Sequence, residues 1–322
     1  MKYIPPQFET LAEMAAIDVG RLTEDQARGI LEKLRWPKGI ECPHCKSKSI
    51  VRINGKSEKV RDGLLRCKAC RRQFTVTIGT IMERSHITLR QWVQAFYSMC
   101  SHKKGVSSLQ LKRDLGLHSY RSAWHLTHRI RSSMREYPLA SLLKGVVEVD
   151  ETYIGGKPRG GTGKHKRGRG TKKAPVIAMV ERKGNIISKP IKNVTAKTLK
   201  SAIREAVDKK SKIMTDEWGC YKGIGREFKG GHETVNHGLK EYVRGDVSTN
   251  TAESFFALLK RGVHGTFHHI SKKHLPRYCN EFSFRWDNRK VNDGERTEEA
   301  VKGMEGKRLM LKDLLEKEIA NV

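Results

Sequence analysis

At 322 residues and 37% hydrophobic content, the chain is long enough for two or three small domains with modest cores, which excludes a fibrous or disordered protein. Its 64 Lys and Arg against 35 Asp and Glu leave a formal charge of +29 and a pI near 10.0, so the expected partner is a polyanion. There is no apolar run of about eighteen residues and no basic stretch with a Trp/Leu face, so nucleic acid is expected and not a membrane.

The opening residues, MKYIPPQFETLAEM, place prolines and acids where an export signal would have an apolar core. A cytoplasmic location, the bacterial cytosol or nucleoid, is the expectation. Residues 1–37 read as a helical segment. Thr23-Glu-Asp-Gln26 fits a capping box before Ala27, Ile30, Leu31 and Leu34, and Trp36-Pro37 stops the run.

Residues 38–82 change character, with glycines and short alternating segments such as Gln73-Phe-Thr-Val-Thr77 that predict small hairpins. Cys42-Pro-His-Cys45 and Cys67-Lys-Ala-Cys70 lie twenty-one residues apart, close to the spacing of a tetrahedral four-thiolate Zn2+ site. A domain this small buries too little apolar surface without a metal. With all four positions filled by sulfur, the zinc would be structural. His44 reads as solvent-facing, and Cys100, Cys220 and Cys279 as ordinary buried thiols.

Residues 83–140 turn helical. Leu89, Trp92, Val93, Phe96 and Tyr97 form one stripe, 107–115 a short second helix, and Gly116-Leu-His-Ser119 a turn into a third helix from Tyr120 to Arg135. That arrangement resembles a helix-turn-helix, with Arg121 and Arg129 of the third helix as DNA contacts. A plain bundle with exposed arginines would read similarly, and Trp92, Phe96 and Trp124 are expected in its core.

From residue 145 buried strands appear, at 146–150, 175–180, 186–191 and 212–216, with a helix over 195–207 and a short strand at 234–235. Between the first two strands runs a glycine-rich basic loop, 157–173, whose Lys164, Lys166, Arg167 and Arg169 would track DNA phosphates. Helices are predicted over 251–261, 273–286 and 307–320.

The chemistry is expected from acids at element ends in an otherwise basic chain. Asp150 and Asp216 each end a β-branched run, and Glu253 lies near the start of an amphipathic helix. Three such carboxylates can hold two Mg2+ or Mn2+ ions about 4 Å apart, suited to moving a phosphodiester. Taken alone, Glu253 would read as a capping or solvated acid. Lys260 stands two helical turns beyond it on the same face and would hold a phosphate, or be simply solvated.

Several stretches together resemble the insertion-sequence transposases of the insertion sequence 1595 (ISXO-like) family, over residues 36 to about 290. They are WPKGIECPHC from Trp36, VEVDETYIGG from Val147, TDEWGCY from Thr215, TNTAESFFALLKRG from Asn250's neighbour Thr249, and GTFHHISKKHLPR from Gly265. The resemblance implies an α/β (α+β) architecture, a ribonuclease-H-like DDE catalytic domain over 145–290 behind the zinc ribbon and helix-turn-helix-like region, with 291–322 a C-terminal helical tail.

The resemblance also implies binding to terminal inverted repeats and target DNA, metal-dependent cleavage and strand transfer, and a homodimer or larger synaptic assembly. Family members carry an acid or an asparagine as third ligand, which leaves Asn250 beside Glu253; charge and the step to Lys260 favour Glu253. Ser254 and Phe256 replace the Gly and Trp often found after the glutamate. Rival readings are a domesticated zinc-ribbon DNA-binding regulator without catalysis, and a ribonuclease-H-like nuclease that cuts without joining.

Overall fold

The computed structural model describes residues 10–53, 61–134, 141–155, 171, 173–239 and 241–316. The chain divides into two compact units, Met1–Arg135 together with Val291–Val322, and Glu136–Lys290.

In the first unit, α1 (Ala16–Arg21) and α2 (Glu24–Arg35) precede a three-stranded antiparallel sheet of β1 (Ile50–Arg52), β2 (Leu65–Cys67) and β3 (Gln73–Phe74). The expected capping box is present: Thr23 Oγ1 accepts from Gln26 N–H, and Gln26 Oε1 accepts from Thr23 N–H. The sheet has a small core of Cys42, Leu65, Cys67 and Phe74, with Trp36 set edge-on to Phe74 at 6.1 Å. So few apolar groups are a weak support for a folded ribbon.

Three helices follow, α3 (Leu89–Ser101), α4 (Ser108–Asp114) and α5 (Tyr120–Ser133), each begun by a Thr or Ser whose hydroxyl accepts a backbone N–H. α3 buries Trp92, Val93, Phe96 and Met99 and is the hub of the unit, packing on α1, α2 and α5. Ser108 and Thr127 share a buried hydrogen bond that ties α4 to α5.

Among the described residues, those after 290 pack with the first unit. An unanticipated helix, Asp293–Lys302, lies against α3 and the 3-10 turn Leu11–Glu13, and the expected helix over 307–320 shortens, among the described residues, to Leu311–Leu315. The first of these starts with an Asn292/Glu295 capping box. Its Gly294 sits where an added Cβ would meet the Leu11 carbonyl oxygen at 1.9 Å, so only glycine allows this approach. Leu309 and Leu314 are buried in this unit, whereas Leu315 is exposed.

In the second unit β4 (Val146–Ile154), β5 (Ala174–Glu181), β6 (Ile186–Pro190), β7 (Lys212–Asp216) and β8 (His232–Val235) form one mixed sheet in the order β6-β5-β4-β7-β8. β4 is antiparallel to β5 and parallel to β7, and β7 is parallel to β8. α6 (Ala196–Ala206) covers one face with Leu199, Ala202 and Ile203 on Val147, Val149, Ile177 and Met179.

A small hairpin, β9 (Val243–Arg244) and β10 (Val247–Ser248), leads into α7 (Asn250–Gly262). α7 and α8 (Leu275–Asp287) cover the other face, with Phe255, Phe256, Leu259 and Phe282 packed on Val176, Ala178 and Val180. Gly262 lets α7 meet α8, since a Cβ there would fall 2.1 Å from the Phe282 ring. A five-stranded mixed sheet with helices on both faces, in this strand order, is the ribonuclease-H-like arrangement.

Replacing Gly294 with Ala is expected to lower the stability of the first unit by about 1–3 kcal/mol, read as a drop in its thermal midpoint, because the backbone of Leu11 must move. An unchanged midpoint would mean that the approach relaxes freely.

Candidate active site and metal centre

The four cysteines come together. Cys42 Sγ lies 3.7 Å from Cys70 Sγ and Cys45 Sγ 3.6 Å from Cys67 Sγ, and all four sulfurs are within 4.8 Å of one another. Tetrahedral thiolates about 2.3 Å from a zinc ion stand roughly 3.8 Å apart, so the donor set fits. Both knuckles close the same way: the residue after each pair, Lys46 and Arg71, is left-handed (φ 61° and 59°), a cost accepted at two non-glycine positions. The Cys70 N–H donates to Cys67 Sγ and draws that thiol down to about 6. His44 is exposed, as expected. Cys100 and Cys279 are buried, but Cys220 is only half-buried, its thiol turned to the Val194 carbonyl.

Asp150 does not end its strand. β4 continues to Ile154, so the carboxylate stands mid-strand, where its neighbours and not the strand end determine its surroundings. Val146 pairs with Lys212 and Glu148 with Met214 across the parallel β4 and β7. The β4–β7 ladder ends at Glu148 and Met214; Asp150 lies two residues past it on β4 and Asp216 two residues past it on β7. Strand alternation sends Val147 and Val149 toward α6, and hence Glu148, Asp150 and Asp216 toward α7.

Glu253 lies exposed in the first turn of α7, over that face. Burial first, then the charge of Glu151, with Asp216 and Glu253 adding, pushes the Asp150 carboxyl up to about 7, against the Glu151 N–H that donates to its Oδ1 at 2.7 Å. The trio therefore shares one electrostatic field. Among the described residues, only the cysteines bring their ligand atoms as tightly together; the carboxylates face one another at longer range.

Asp216 Oδ1 accepts from the Trp218 N–H at 3.1 Å, which orients it at the end of β7. Lys260 is exposed two turns along α7 from Glu253. Asn250 is the first residue of α7, exposed, while Thr249 occupies the N-cap, so Asn250 is not the helix cap.

Three residues near the trio escaped sequence reasoning. Glu148, fully buried, accepts from the N–H groups of Thr251 and Ala252 and from the Thr251 hydroxyl, at 2.7, 3.2 and 2.9 Å. Arg182 donates two hydrogen bonds to Glu148 Oε1, at 3.0 and 2.8 Å. His237 stands with Nε2 3.7 Å from Glu253 Oε1 and shares a hydrogen bond with Thr249 Oγ1 at 3.2 Å. An acid inside the apolar run Val146-Val-Glu-Val was the one available signal; the other two depend on partners far away in the chain.

The proposed DNA contacts separate. Arg121 is exposed at the start of α5, beside exposed Tyr120. Arg129 is 7% exposed; its guanidinium donates to the Leu309 and Glu83 carbonyls and stacks over Trp92, which corrects its reading as a DNA contact. Burial of the second half of α5 was hidden because its partners lie far off in the chain, in helix Asp293–Lys302 and at the Leu309 carbonyl. Lys164, Lys166, Arg167 and Arg169 lie outside the described residues.

The ISXO2-like transposase domain matches residues 142–287, and the transposase zinc-ribbon domain matches residues 22–73. Both matches are to domain families of IS1595 transposases. A relative from Halobacterium salinarum, described as an uncharacterized protein in transposable element ISH50, is 29% identical over 276 residues, 82% of this chain and 91% of that relative. The matched transposase domain falls within the second unit and the matched ribbon contains the cysteine quartet, which supports a structural zinc in this chain. No helix among the described residues is long and apolar enough to cross a membrane.

Two outcomes test this geometry. Cys67→Ser is expected to abolish stoichiometric zinc and unfold the ribbon, read by metal analysis and by faster amide exchange over 61–80; retention of one tightly held zinc would refute the four-thiolate site. For Asp150, a folded-state pKa near 7 lies above the ordinary 3.8, so the folded chain holds this proton more tightly and stability falls as pH rises from about 4 to 7. In buffer free of added divalent cations, Asp150→Asn is expected to remove that slope, by a few kcal/mol at most, in parallel thermal scans of both proteins.

Proposed function

We propose that the protein is the transposase of an insertion sequence, which binds the terminal inverted repeats, cuts DNA at the element's ends and joins them to target DNA. The observation that carries this reading is the trio itself: Asp150 and Asp216 each lie two residues past the end of the parallel β4–β7 ladder, Glu253 lies in the first turn of α7, and the charges of Asp216 and Glu253 both act on Asp150. The two domain matches and the formal charge of +29 support it.

Asp150, Asp216 and Glu253 would hold the Mg2+ or Mn2+ ions. Carboxylates that raise one another's proton affinity are a donor set suited to a divalent cation. When bound, two such ions activate an attacking water or 3′ hydroxyl and stabilise the leaving oxygen. Glu253 is the better third ligand than Asn250, since its charge already reaches Asp150 and a carboxylate neutralises a cation where an amide does not. Lys260, on the same face of α7, would hold a phosphate beside the scissile bond.

His237, next to Glu253, would orient that carboxylate. In the first unit, Tyr120 and Arg121 at the exposed start of α5 occupy the place where a recognition helix reads bases. The lysines and arginines of the glycine-rich segment would add phosphate contacts and a steep salt dependence. Two DNA ends must be held at once, so a homodimer or larger assembly in the cytosol or on the nucleoid completes the reading.

End-labelled terminal-repeat DNA incubated with the purified protein and Mg2+ or Mn2+ tests it. Nicked and target-joined products are expected from the wild type, with a loss of at least about a thousandfold for Asp216→Asn at unchanged DNA affinity. Tight binding with no cleavage by the wild type would indicate a regulator, and cutting without joining a nuclease.

A further inference from the structure

Glu148 is a carboxylate with no side-chain exposure, in a basic protein, two residues before a proposed metal ligand. Burying such a charge costs several kcal/mol unless it is paired and hydrogen-bonded, and here it is both. Its Oε2 accepts from the N–H groups of Thr251 and Ala252, the second and third residues of α7. Its Oε1 accepts from the Thr251 hydroxyl and from Nε and Nη2 of Arg182.

The first N–H groups of a helix have no partner within it, and the N-cap residue Thr249 offers no side-chain acceptor. Glu148 fills that role from another element. A carboxylate at the positive end of the helix dipole is favoured, and its bonds are charge-assisted.

Arg182, on the turn after β5, also donates Nη1 to the Asp246 carbonyl at 2.6 Å and Nη2 to Ser248 Oγ at 3.1 Å. One guanidinium thus braces Glu148 and the hairpin that delivers the chain into α7.

We infer that Glu148, braced by Arg182, is a positioning residue that fixes the first turn of α7 to β4 and thereby sets where Glu253 stands relative to Asp150. The linkage is short. Glu148 and Asp150 point to the same side of one strand, and Glu253 follows directly after Ala252, so few soft torsions separate the two acids. The charges of Asp216 and Glu253 both act on Asp150, so α7 carries like charge toward the sheet, and the clamp holds the helix to β4 there. The inference rests on the transposase reading only for its consequence in catalysis.

Glu148→Gln is the sharpest test on the full, zinc-loaded chain. Either orientation of the amide turns an NH2 group toward existing donors, the α7 N–H groups or Arg182, so one side of the clamp must open. Amide exchange over residues 249–254 is expected to quicken at least about tenfold in the absence of added divalent cation, with the thermal midpoint of the whole chain shifted little. Mn2+ titrated as the probe is expected to bind at least about tenfold more weakly, and single-turnover cleavage to slow about a hundredfold at unchanged DNA affinity.

Arg182→Lys, which keeps the charge but loses the fork, is expected to show smaller effects of the same kind and serves if Glu148→Gln does not fold. Unchanged exchange over 249–254 in the folded variant overturns the clamp, as does unchanged Mn2+ affinity once exchange has quickened. If the wild type shows no Mn2+ site sensitive to Asp150→Asn, the catalytic reading fails while the exchange result still decides the clamp.

Discussion

The parallel pairing of β4 with β7 is the constraint on which the second unit depends. It carries two aspartates to the same end of neighbouring strands, where the charge of Asp216 acts on Asp150. A strand pair that brings like charges together needs hydrophobic burial on both faces to hold it. α6 supplies one layer through Leu199 and Ile203, and α7 with α8 supplies the other through Phe255, Leu259 and Phe282. The acids occupy the margin where the second layer begins, so the same helix that seals the core also carries the third carboxylate. Stability and chemistry compete at the first turn of α7.

The first unit solves a different problem. Its ribbon has too few apolar groups to hold three short strands, and four sulfurs within bonding reach of one metal compensate. Its helices are closed by residues from the far end of the chain: Glu305 takes the buried guanidinium of Arg35, and Leu309 accepts from His125 and Arg129. An exposed first turn of α5 and a buried second half follow from that cover.

Legibility from the amino acids followed the range of the interactions. Strand Lys212–Asp216, the capping box at Thr23 and the cysteine quartet are local patterns, and they were read correctly. Asp150 was placed at a strand end because polar Glu151 and Thr152 follow it, yet pairing with β5 carries the strand on to Ile154. Helix Asp293–Lys302 was missed because Gly294 looks like a breaker until the Leu11 carbonyl beside it is known. Arg129 reads as a DNA contact until its bonds to the Glu83 and Leu309 carbonyls are known. Glu148 and Arg182 are 34 positions apart, and only the fold makes them a pair.

The split first unit has a further consequence for how the chain matures. Residues 136–290 are contiguous, so this unit has all its parts once they have left the ribosome. The helical part of the other unit must wait for helix Asp293–Lys302, which packs on α3 and α5. The carboxylate-bearing half can therefore be complete before the helical part of the other half, an order opposite to that in which the two are encoded.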